Sequence, residues 1–424
     1  MSDSEVVTNA SRISSPDTER LLQEAHRKKV EEHIPLITVL FIIAFVGIIG
    51  NILTIIFYGY RVKMTSTIAL IRLLAILDLI VCFLCFTTIA DLFVNILFTD
   101  EILCKVMYFF DHWFVVSSVF TLWIISIDRY RRMCKPLGKQ LTVKSATVAV
   151  IITSVFSMVF SSHDFITYSP VKVNISTSDK VNPYITGHYC TNTDSPDLHL
   201  VVIVFHVLDA LTITACFVTF VFTYGNIWRE LRNHNRKTVH LHKSSSALSR
   251  QSTSDFNSKT LQSDEDVEND RGTTVPLTKN QAVHFSLGSN INTEILNVSA
   301  VAISTASSES KFATECVENV RRVSKSSKTS RSERRLTIMM FAVTVGFAIC
   351  FTPYFIVTVG IRQTSATTED ELHTGIEFAL RSPFWNSVIN PIIFCVFNTQ
   401  YRRYMKDVFT KCQINKSTVN SSQG

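Results

Sequence analysis

Two features found in many long chains are missing from this sequence. No stretch of it repeats, which argues against the transporter folds that are built from internal repeats. The N-terminus lacks the apolar core of a signal peptide, because residues 1–33 are polar and charged, so we expect the first apolar stretch to act as its own signal anchor. Charge is scarce as well: Asp, Glu, Lys and Arg make up 18% of the 424 residues, against 46% for the hydrophobic types.

The hydrophobic residues are grouped into stretches that are long enough to cross a hydrocarbon core of ~30 Å, which takes roughly 20 helical residues. We name these stretches span one to span seven, and they cover residues 34–59, 67–94, 104–127, 145–162, 200–228, 336–361 and 372–397. The pattern predicts an all-α membrane protein, a seven-transmembrane helix bundle. The basic segment after span seven predicts a short amphipathic helix there.

Basic residues indicate which side of the membrane is cytoplasmic, because Lys and Arg accumulate in inner loops. The loops after spans one and three and the segment after span seven contain Arg61, Lys63, Arg131, Arg132, Lys135, Lys139, Arg402, Arg403, Lys406 and Lys411. The loop 95–103 contains two acids and no basic residue. We therefore expect the N-terminus outside and the C-terminus in the cytoplasm. Arg27, Lys28 and Lys29 precede span one and disagree with this orientation, and neighbouring glutamates offset them.

Composition divides the chain into five segments. These are the outer tail 1–33, spans one to five in 34–231, the loop 232–330, spans six and seven in 331–397, and the amphipathic helix and cytoplasmic tail in 398–424. The loop 232–330 is rich in Ser, Thr and charge and nearly free of aromatic residues. Such a segment cannot bury enough surface to offset its ordering entropy, so we expect a disordered third cytoplasmic loop.

Modification sites follow from this topology. Of the ten cysteines, only Cys104 and Cys190 fall at outer, oxidising positions, so they are the expected disulfide. Asn9 and Asn174 begin outer Asn-X-Ser sequons and predict glycosylation. Cys412 follows the basic amphipathic segment, where it is either palmitoylated or a free thiol.

Ionisable residues inside a membrane span are costly and tend to be functional. The spans contain Arg72, Asp78, Asp111, His206, Asp209 and Arg381. Asp111 and Arg129 are 18 residues apart, so they share one face of span three at a separation of about 27 Å. Such a polar stripe suits a helix that transmits a signal. The alternative is that Asp111 simply pairs with Arg381 or with interfacial water.

Several short motifs stand in order along the spans. They are Gly50-Asn51, Leu74-Ala75 with Asp78, Cys104, Asp128-Arg129-Tyr130, Pro136-Leu137, Tyr224, Phe347, Cys350 to Tyr354, Asn386-Ser387 and Asn390 to Phe394. Each is weak alone, but together the chain resembles the rhodopsin-like (class A) G-protein-coupled receptors. The resemblance implies a plasma-membrane receptor, not an enzyme, that binds an extracellular ligand and activates heterotrimeric G proteins.

The resemblance implies a switch at the inner ends of the spans. Its residues are Asp128, Arg129, Tyr130, Tyr224, Glu333, Asn390, Pro391 and Phe394. In relatives, the residue matching Arg129 pairs with the neighbouring acid and with an acid at the foot of span six, where Glu333 falls, and activation releases it. The alternative is a solvated basic face that anchors the helix to anionic lipid. That alternative explains Arg131 and Arg132, but not Asp128 and Glu333.

The resemblance also implies an allosteric sodium pocket. Its residues are Asp78, Ser118, Asn386, Ser387 and Asn390, with Asn51 nearby. Oxygen ligands and a single carboxylate suit a hard cation. The alternative is a hydrated hydrogen-bond network without sodium. No other cofactor is expected.

The resemblance places ligand contacts near the outer ends of spans three, six and seven. The residues are Asp111, Val115, Phe351, Tyr354, Phe355 and Phe384. Asp111 matches the carboxylate that pairs with the ammonium group in amine receptors, and Tyr354 and Phe355 would form an aromatic wall that suits a cation. Phe384 stands where amine receptors carry the tyrosine that orients this acid. The long outer loop before Cys190 resembles that of peptide receptors, so we favour a neuropeptide over an amine. Span seven contains no lysine, which excludes a retinal-binding opsin.

Four positions depart from the family pattern. Phe351 replaces the usual tryptophan of span six, and Phe394 replaces the tyrosine that ends the span-seven motif. Ser154 takes the place of the tryptophan of span four, and Cys216 that of the proline of span five. These departures bear on the efficiency of the switch and on the basal activity of the receptor. They do not change the expected fold.

Further partners follow from the family: arrestin, receptor kinases and the lipid membrane, with no nucleic acid. A transporter or channel would need a polar path through several spans, whereas the polar residues cluster on spans two, three and seven. A membrane enzyme would need a catalytic or metal-binding set. His206 and Asp209 are three residues apart on span five, but the sequence offers no evident third metal ligand.

Overall fold

The computed structural model describes residues 16–176, 184–262, 310–360 and 370–421. The helices of spans one to seven are Pro16–Ile56, Ser66–Val94, Glu101–Cys134, Val143–Ser161, His199–Gln262, Ser310–Gly360 and Trp385–Phe397. Shorter helical pieces are Phe57–Arg61, Asp164–Thr167, Pro196–Leu198, Asp370–Leu380 and Ser382–Phe384, and the helix Thr399–Ser421 follows span seven. Within the described ranges, six helices are long and apolar enough to cross a membrane, and Ser382–Phe397 is a shorter apolar one. The predicted all-α bundle is confirmed.

Polar side chains fix where spans two, three and four begin. The hydroxyl of Thr65 accepts a hydrogen bond from the backbone N–H of Ile68 at 3.3 Å. Asp100 accepts one from Leu103 N at 2.9 Å, and Thr142 begins span four in a reciprocal capping pair with a serine three residues later. These caps satisfy N–H groups that have no partner within the helix, so the three spans begin at defined residues.

Span seven differs from the continuous helix predicted over 372–397. One helix ends at Leu380, a 3₁₀ turn covers Ser382–Phe384, and a second helix begins at Trp385. The break falls at Pro383, which has no N–H to donate within a helix. The turn buries Phe384, which is 8% exposed.

Glycines let span one approach its neighbours closely. A Cβ atom added to Gly50 would lie 2.7 Å from Pro391 Cβ in span seven. A Cβ added to Gly47 would overlap the sulfur of Cys82 in span two. Asn51 extends the same contact, because its Nδ2 donates to the carbonyl of Ser387 at 2.9 Å. Spans one, two and seven are therefore joined at one level of the bundle.

A two-stranded antiparallel sheet lies between spans four and five. Its strands are β1, Tyr168–Ser176, and β2, Tyr184–Asn192, and Pro170 pairs with Cys190 in their register. These strands were not predicted, although Val171, Val173 and Ile175 alternate with polar residues as a half-buried strand requires. The sheet occupies the predicted outer loop 163–199.

The helix of span one begins before the membrane stretch, at Pro16. Its basic residues are paired with nearby acids on the same helix. Arg27 Nε lies 3.8 Å from Glu31, and Lys29 Nζ lies 2.8 Å from Glu32, which also lies 4.0 Å from Lys28. The neighbouring glutamates therefore offset the charge of these three basic residues.

The chain divides into two compact units. The first comprises Met1–Glu230 and Arg335–Gly424, and the second Leu231–Arg334. Where the structure describes the predicted loop 232–330, at residues 232–262 and 310–330, the backbone is helical. Neither stretch contains a glycine or proline, so neither has a strong helix breaker. The remainder of this predicted loop, 263–309, lies outside the described residues.

Candidate functional site

A polar cluster surrounds Asp78 in the middle of the bundle. Asp78 is fully buried, and its Oδ1 accepts hydrogen bonds from Ser118 and Ser387, both at 3.2 Å. Its Oδ2 accepts one from Asn390 Nδ2 at 2.7 Å. The structure thus brings together span two, span three and span seven around one carboxylate, as the sequence predicted. A buried carboxylate needs such donors, because leaving it unpaired in an apolar interior is very costly.

The same cluster contains buried oxygen atoms without a hydrogen-bond donor. They are the side-chain oxygens of Asn51, Asn386 and Asn390. Asn386 is 3% exposed, and Asn390 is 1% exposed. Buried amide oxygens together with one carboxylate are a donor set that fits a small hard cation, which takes oxygen ligands. The residues predicted for sodium are therefore compatible with it.

A second buried charged cluster lies at the inner end of span three. Asp128 is fully buried, and its two oxygens accept hydrogen bonds from Ser66 at 2.8 Å and from Thr67 at 2.7 Å. Arg129 Nη2 donates to Asp128 Oδ2 at 2.8 Å and also donates to the Thr67 hydroxyl. Arg132 Nε approaches the same carboxylate at 3.2 Å. Burying an arginine is tolerated only with such paired partners, so the start of span two holds Arg129 in place.

Four of the remaining predicted switch residues lie in different places. Tyr224 is buried, and its phenol oxygen accepts a hydrogen bond from Thr344 Oγ1 at 3.2 Å, which links spans five and six. Tyr130 packs its ring 6.1 Å from that of Phe222. Glu333 belongs to the second compact unit. Pro391 lies against Gly50 of span one.

Phe394 lacks the expected hydroxyl, and a neighbouring tyrosine supplies one. The Phe394 ring lies 5.8 Å from that of Tyr58 at the end of span one. The Tyr58 hydroxyl accepts a hydrogen bond from Asn398 Nδ2 at 3.0 Å. Asn398 Oδ1 in turn accepts from Tyr401 N at 3.2 Å, at the start of the helix Thr399–Ser421. The polar contact at this level therefore joins span one to the helix that follows span seven.

Aromatic rings fill the region between spans five and six. Phe351, at the expected tryptophan position, is 2% exposed and lies 4.3 Å from the ring of Phe347. Phe347 is also 5.5 Å from Phe217 and 5.7 Å from Phe220. These ring contacts involve no hydrogen bond, so they restrict movement between the two spans less than the bond from Thr344 to Tyr224 does.

The expected tryptophan of span four is replaced by a contact from span three. Trp113 Nε1 donates to the backbone carbonyl of Ser154 at 2.9 Å. The hydroxyl of Ser154 lies 3.2 Å from that of Ser117. An indole therefore still packs between these two spans, but it is attached to the opposite helix.

A cavity of about 520 Å³ opens between spans five and six beside the end of β2. Its lining includes Tyr354 and Phe355 from span six and His206 and Asp209 from span five. Asn192 contributes from the end of β2, and its Oδ1 lies 3.3 Å from His206 Nε2. Two of the six predicted ligand contacts thus line the cavity, and the structure adds polar residues of span five.

The other predicted ligand contacts lie away from this cavity. Asp111 Oδ2 accepts a hydrogen bond from Thr88 at 3.3 Å, and Asp111 Oδ1 is buried without a donor. Arg381 pairs with Asp91 at 3.5 Å and with Glu377. Among the described residues, the alternative pairing of Asp111 with Arg381 is therefore not adopted.

Two aromatic positions predicted near the ligand are packed in apolar surroundings. Phe384 belongs to a buried cluster with Leu36, Leu40 and Val81, and Val115 packs against the same cluster. Phe351 is buried in the ring contacts between spans five and six. These three side chains support the shape of the outer bundle in the structure.

Sequence reasoning missed a cluster of histidines and acids next to the cavity. His112 of span three, His163 after span four and Asp209 of span five lie with their ligand atoms within 4.8 Å of one another. Asp164 lies beside them, at 2.9 Å from His112 Nδ1. Potential ligand partners of Asp209 thus come from other spans, where no spacing in the sequence could reveal them, whereas His206 of the same span lies next to Asn192.

The predicted covalent sites have different outcomes. The disulfide between Cys104 and Cys190 is confirmed, and it ties span three to β2 with a Cα–Cα distance of 5.6 Å. Asn174 is exposed on β1. Asn9 lies outside the described residues. Cys412 falls within the helix Thr399–Ser421, and its side chain lies outside the described part of the structure.

Sequence comparison identifies the family. The model described as "7 transmembrane receptor (rhodopsin family)" matches residues 50–394. The chain belongs to this family, the rhodopsin-like G-protein-coupled receptors, whose members are multi-pass membrane receptors that couple to G proteins and are not enzymes.

Individual relatives and a solved structure extend the comparison. The human cholecystokinin receptor type A is 24% identical over 426 residues, which cover 96% of this chain and 89% of that receptor. The guinea pig (Cavia porcellus) receptor of the same name is 23% identical, over 88% of this chain and 79% of its own. The Drosophila melanogaster tachykinin-like peptides receptor 99D is 41% identical over 86 residues, 19% of this chain and 16% of that receptor. The crystal structure of squid rhodopsin shares the fold, with a TM-score of 0.55 and 15% identity over 90% of this chain and 87% of that one.

Proposed function

We propose that this protein is a plasma-membrane receptor for an extracellular peptide, and that the peptide enters the cavity between spans five and six. The main support for this proposal is the cavity of about 520 Å³, whose lining combines aromatic, acidic and imidazole side chains. A pocket with an apolar wall and a few polar groups suits the insertion of one or two peptide side chains. The relatives that match along most of the chain are receptors for cholecystokinin, which supports the same class of ligand.

The side chains that line the cavity indicate which kind of peptide group enters it. Tyr354 and Phe355 offer ring surfaces, and Asp209 offers a carboxylate oxygen without a hydrogen-bond partner. An aromatic wall beside a carboxylate favours a cationic or amide group attached to an apolar side chain. We propose that Tyr354 and Asp209 make the first contacts with such a group.

The orientation follows the charge of the loops, with the cavity open to the extracellular side and the C-terminus in the cytoplasm. The sheet of β1 and β2, tied to span three through Cys190, would then frame the ligand entrance. Glycosylation at Asn9 and Asn174 fits this orientation. Arrestin, receptor kinases and palmitoylation of Cys412 belong to the same cytoplasmic face.

Activation of the G protein depends on Arg129. In this structure Asp128 and Thr67 hold the guanidinium. We propose that ligand binding shifts span six, breaks this arrangement and presents Arg129 to the G protein. Such a bistable element lets a distant ligand bias the equilibrium, because two packings exchange rather than deform continuously.

A sodium ion at Asp78 would favour one of the two packings. The carboxylate would supply the charge, and the buried side-chain oxygens of Asn386 and Asn390 would supply further ligands. The alternative without sodium is an extended hydrogen-bond network through the same residues.

The amine alternative needs Asp111 to face the ligand. Asp111 accepts a hydrogen bond from Thr88 and does not line the cavity. The amine receptors among the relatives match only short segments, such as 30% identity over 80 residues for the Drosophila 5-hydroxytryptamine receptor 2B. A peptide is therefore the better-supported ligand.

The experiment is a biosensor measurement of each class of Gα in transfected cells, against a panel of peptides and biogenic amines. Wild type is compared with Tyr354→Ala, Asp111→Asn and Arg129→Ala, and Tyr184→Ala serves as a matched control on the exposed start of β2. We expect a peptide response that is lost in Tyr354→Ala and Arg129→Ala and kept in Asp111→Asn and Tyr184→Ala. A response to an amine that disappears in Asp111→Asn would contradict the proposal.

A further inference from the structure

We infer that His112, His163 and Asp209 form a Zn²⁺ site that joins spans three, four and five beside the ligand cavity. One ligand atom from each residue lies within 4.8 Å of the other two. Two imidazoles and one carboxylate are a donor set that zinc takes in proteins, with a fourth position left for water or a ligand group. Asp209 also lines the cavity, so the site adjoins the space proposed for the peptide.

The hydrogen bonds of the two histidines leave each Nε2 facing carboxylates. His112 Nε2 faces Asp209, and His163 Nε2 lies 3.5 Å from Asp164 Oδ1 and 4.0 Å from Asp209 Oδ2. His112 Nδ1 lies 2.9 Å from Asp164 Oδ2, and His163 Nδ1 lies 2.7 Å from the carbonyl oxygen of Phe160. Both oxygens can only accept, so each Nδ1 carries the hydrogen and each Nε2 of the neutral ring carries the lone pair. Histidines that bind metal are oriented in this way, by a carboxylate or a carbonyl on the second nitrogen.

The distance from His112 to Asp209 fits a zinc coordination shell, whereas His163 requires a small movement of its ring. His112 Nε2 lies 3.4 Å from Asp209 Oδ1. Ligand atoms about 2.0–2.1 Å from a tetrahedral zinc are about 3.3–3.4 Å apart. His163 Nε2 lies 4.0 Å from Asp209 Oδ2, so its ring must move by less than about 1 Å. Asp209 Oδ1 has no hydrogen-bond partner in spite of its nearness to His112, so it is available as a ligand atom.

Charge and packing support the same assignment. Asp164 and Asp209 are both poorly exposed, with 2% and 15% of their side chains accessible. A divalent ion would neutralise these two carboxylates while both imidazoles stay neutral. His163 is held by stacking on the ring of Phe205 at 4.1 Å, with an angle of 4° between the planes. The side chains of the site are therefore packed close to their coordinating positions before the ion arrives.

The ion would act on the receptor through three spans at once. By fixing span five to spans three and four, it would hold one wall of the cavity while span six moves. A peptide group that replaces the water on zinc would gain a metal bond, and a peptide that needs Asp209 itself would lose its partner. Zinc would thus change the affinity for the ligand without being required for coupling.

The test uses the full-length protein purified in detergent, with Zn²⁺ alone as the probe. We expect Zn²⁺ to raise the midpoint of thermal unfolding in a saturable manner in wild type, and Ca²⁺, which prefers six to eight oxygen ligands, to have no such effect. His163→Ala and Asp209→Asn should lose the increase. Asp164→Asn should keep it with an affinity roughly 10–100-fold weaker, as for other outer partners of metal ligands. His206→Ala, a cavity histidine outside the triad, should match wild type.

Two further measurements keep the outcome decisive. Unfolding in EDTA reports whether each variant is folded without metal, and His163→Gln replaces His163→Ala if the latter is not. X-ray absorption at the zinc edge of the wild-type complex should show two imidazole nitrogens at about 2.0–2.1 Å. The inference is overturned if wild type shows no saturable effect of Zn²⁺, if the effect persists in both ligand variants, or if it depends on His206. The first of these results would favour His112 as an imidazolium between the two carboxylates.

Discussion

The hydroxyl of Thr67 is the part of the Arg129 cluster that can be removed with the least change of shape. Thr67 is 1% exposed, donates to Asp128 Oδ2 at 2.7 Å and accepts from Arg129. Thr67→Val keeps the branched side chain and removes both bonds. A hydrogen bond to a charged group contributes about 1.5–3 kcal/mol, and we count one such bond as the net loss, because Asp128 and Arg129 stay paired with each other. If only the resting packing uses this hydroxyl, the substitution destabilises that packing alone.

The size of the expected effect follows from this energy. Each ~1.4 kcal/mol is tenfold in an equilibrium constant, so the ratio of active to resting receptor should rise about 10- to 150-fold. A minor state that is about 0.1–10% populated leaves room for such an increase to be measured. Thr67→Val should therefore raise the basal signal several-fold at equal surface expression.

The assay is ligand-free activation of G-protein biosensors, scaled to the amount of receptor at the cell surface. Thr67→Ser is the matched control, because it keeps the hydroxyl and loses only a methyl group. We expect Thr67→Ser to stay near wild type. A basal signal in Thr67→Val equal to or below that of wild type, with normal surface expression, would refute the idea that Thr67 stabilises the resting packing.

Three other substitutions give independent tests. Gly50→Ala should destabilise the detergent-solubilised protein by about 1–3 kcal/mol, because the added Cβ would lie 2.7 Å from Pro391. Gly225→Ala is the control and should not destabilise the protein, because nothing lies within 4 Å of its added Cβ. Equal unfolding midpoints for the two variants would contradict the close approach at Gly50. Cys190→Ser should lower the free energy of unfolding by about 4–5 kcal/mol, because it opens a covalent loop between residues 86 positions apart, and a stable variant with unchanged surface expression would argue against this contribution. Asp78→Asn should abolish any effect of NaCl on agonist affinity beyond that of choline chloride, and a persisting difference would place sodium elsewhere.

The bundle could be predicted because its signals are local, whereas the partners of Asp78 in its polar cluster came from the family resemblance. Each span is an apolar stretch of fixed minimum length, and the side of each loop follows from its own charge. Asp78 could be assigned because it is an acid within such a stretch. The disulfide followed in the same way, since topology left only Cys104 and Cys190 outside.

The rest depended on packing between distant segments. His112, His163 and Asp209 come from three different elements, and no spacing in the sequence relates them. The hydroxyl missing from Phe394 is supplied by Tyr58, more than three hundred positions earlier in the chain. The break in span seven at Pro383 had a local signal, which the apolar run around it concealed. Interactions that depend on which helices become neighbours cannot be derived from one sequence alone.

The glycine contacts of span one separate a rigid part of the bundle, made of spans one, two and seven, from a more movable part, made of spans five and six. At Gly47 and Gly50 the backbone of span one packs directly against side-chain atoms of Cys82 in span two and Pro391 in span seven, so this part should behave as a rigid body. Spans five and six meet through phenylalanine rings such as Phe217 and Phe347, which slide more readily. Spin labels on spans one and two should therefore keep one sharp distance through the activation cycle. Labels that report on spans five and six should show two, and the ratio of the two populations would measure the receptor's state directly, without any downstream protein.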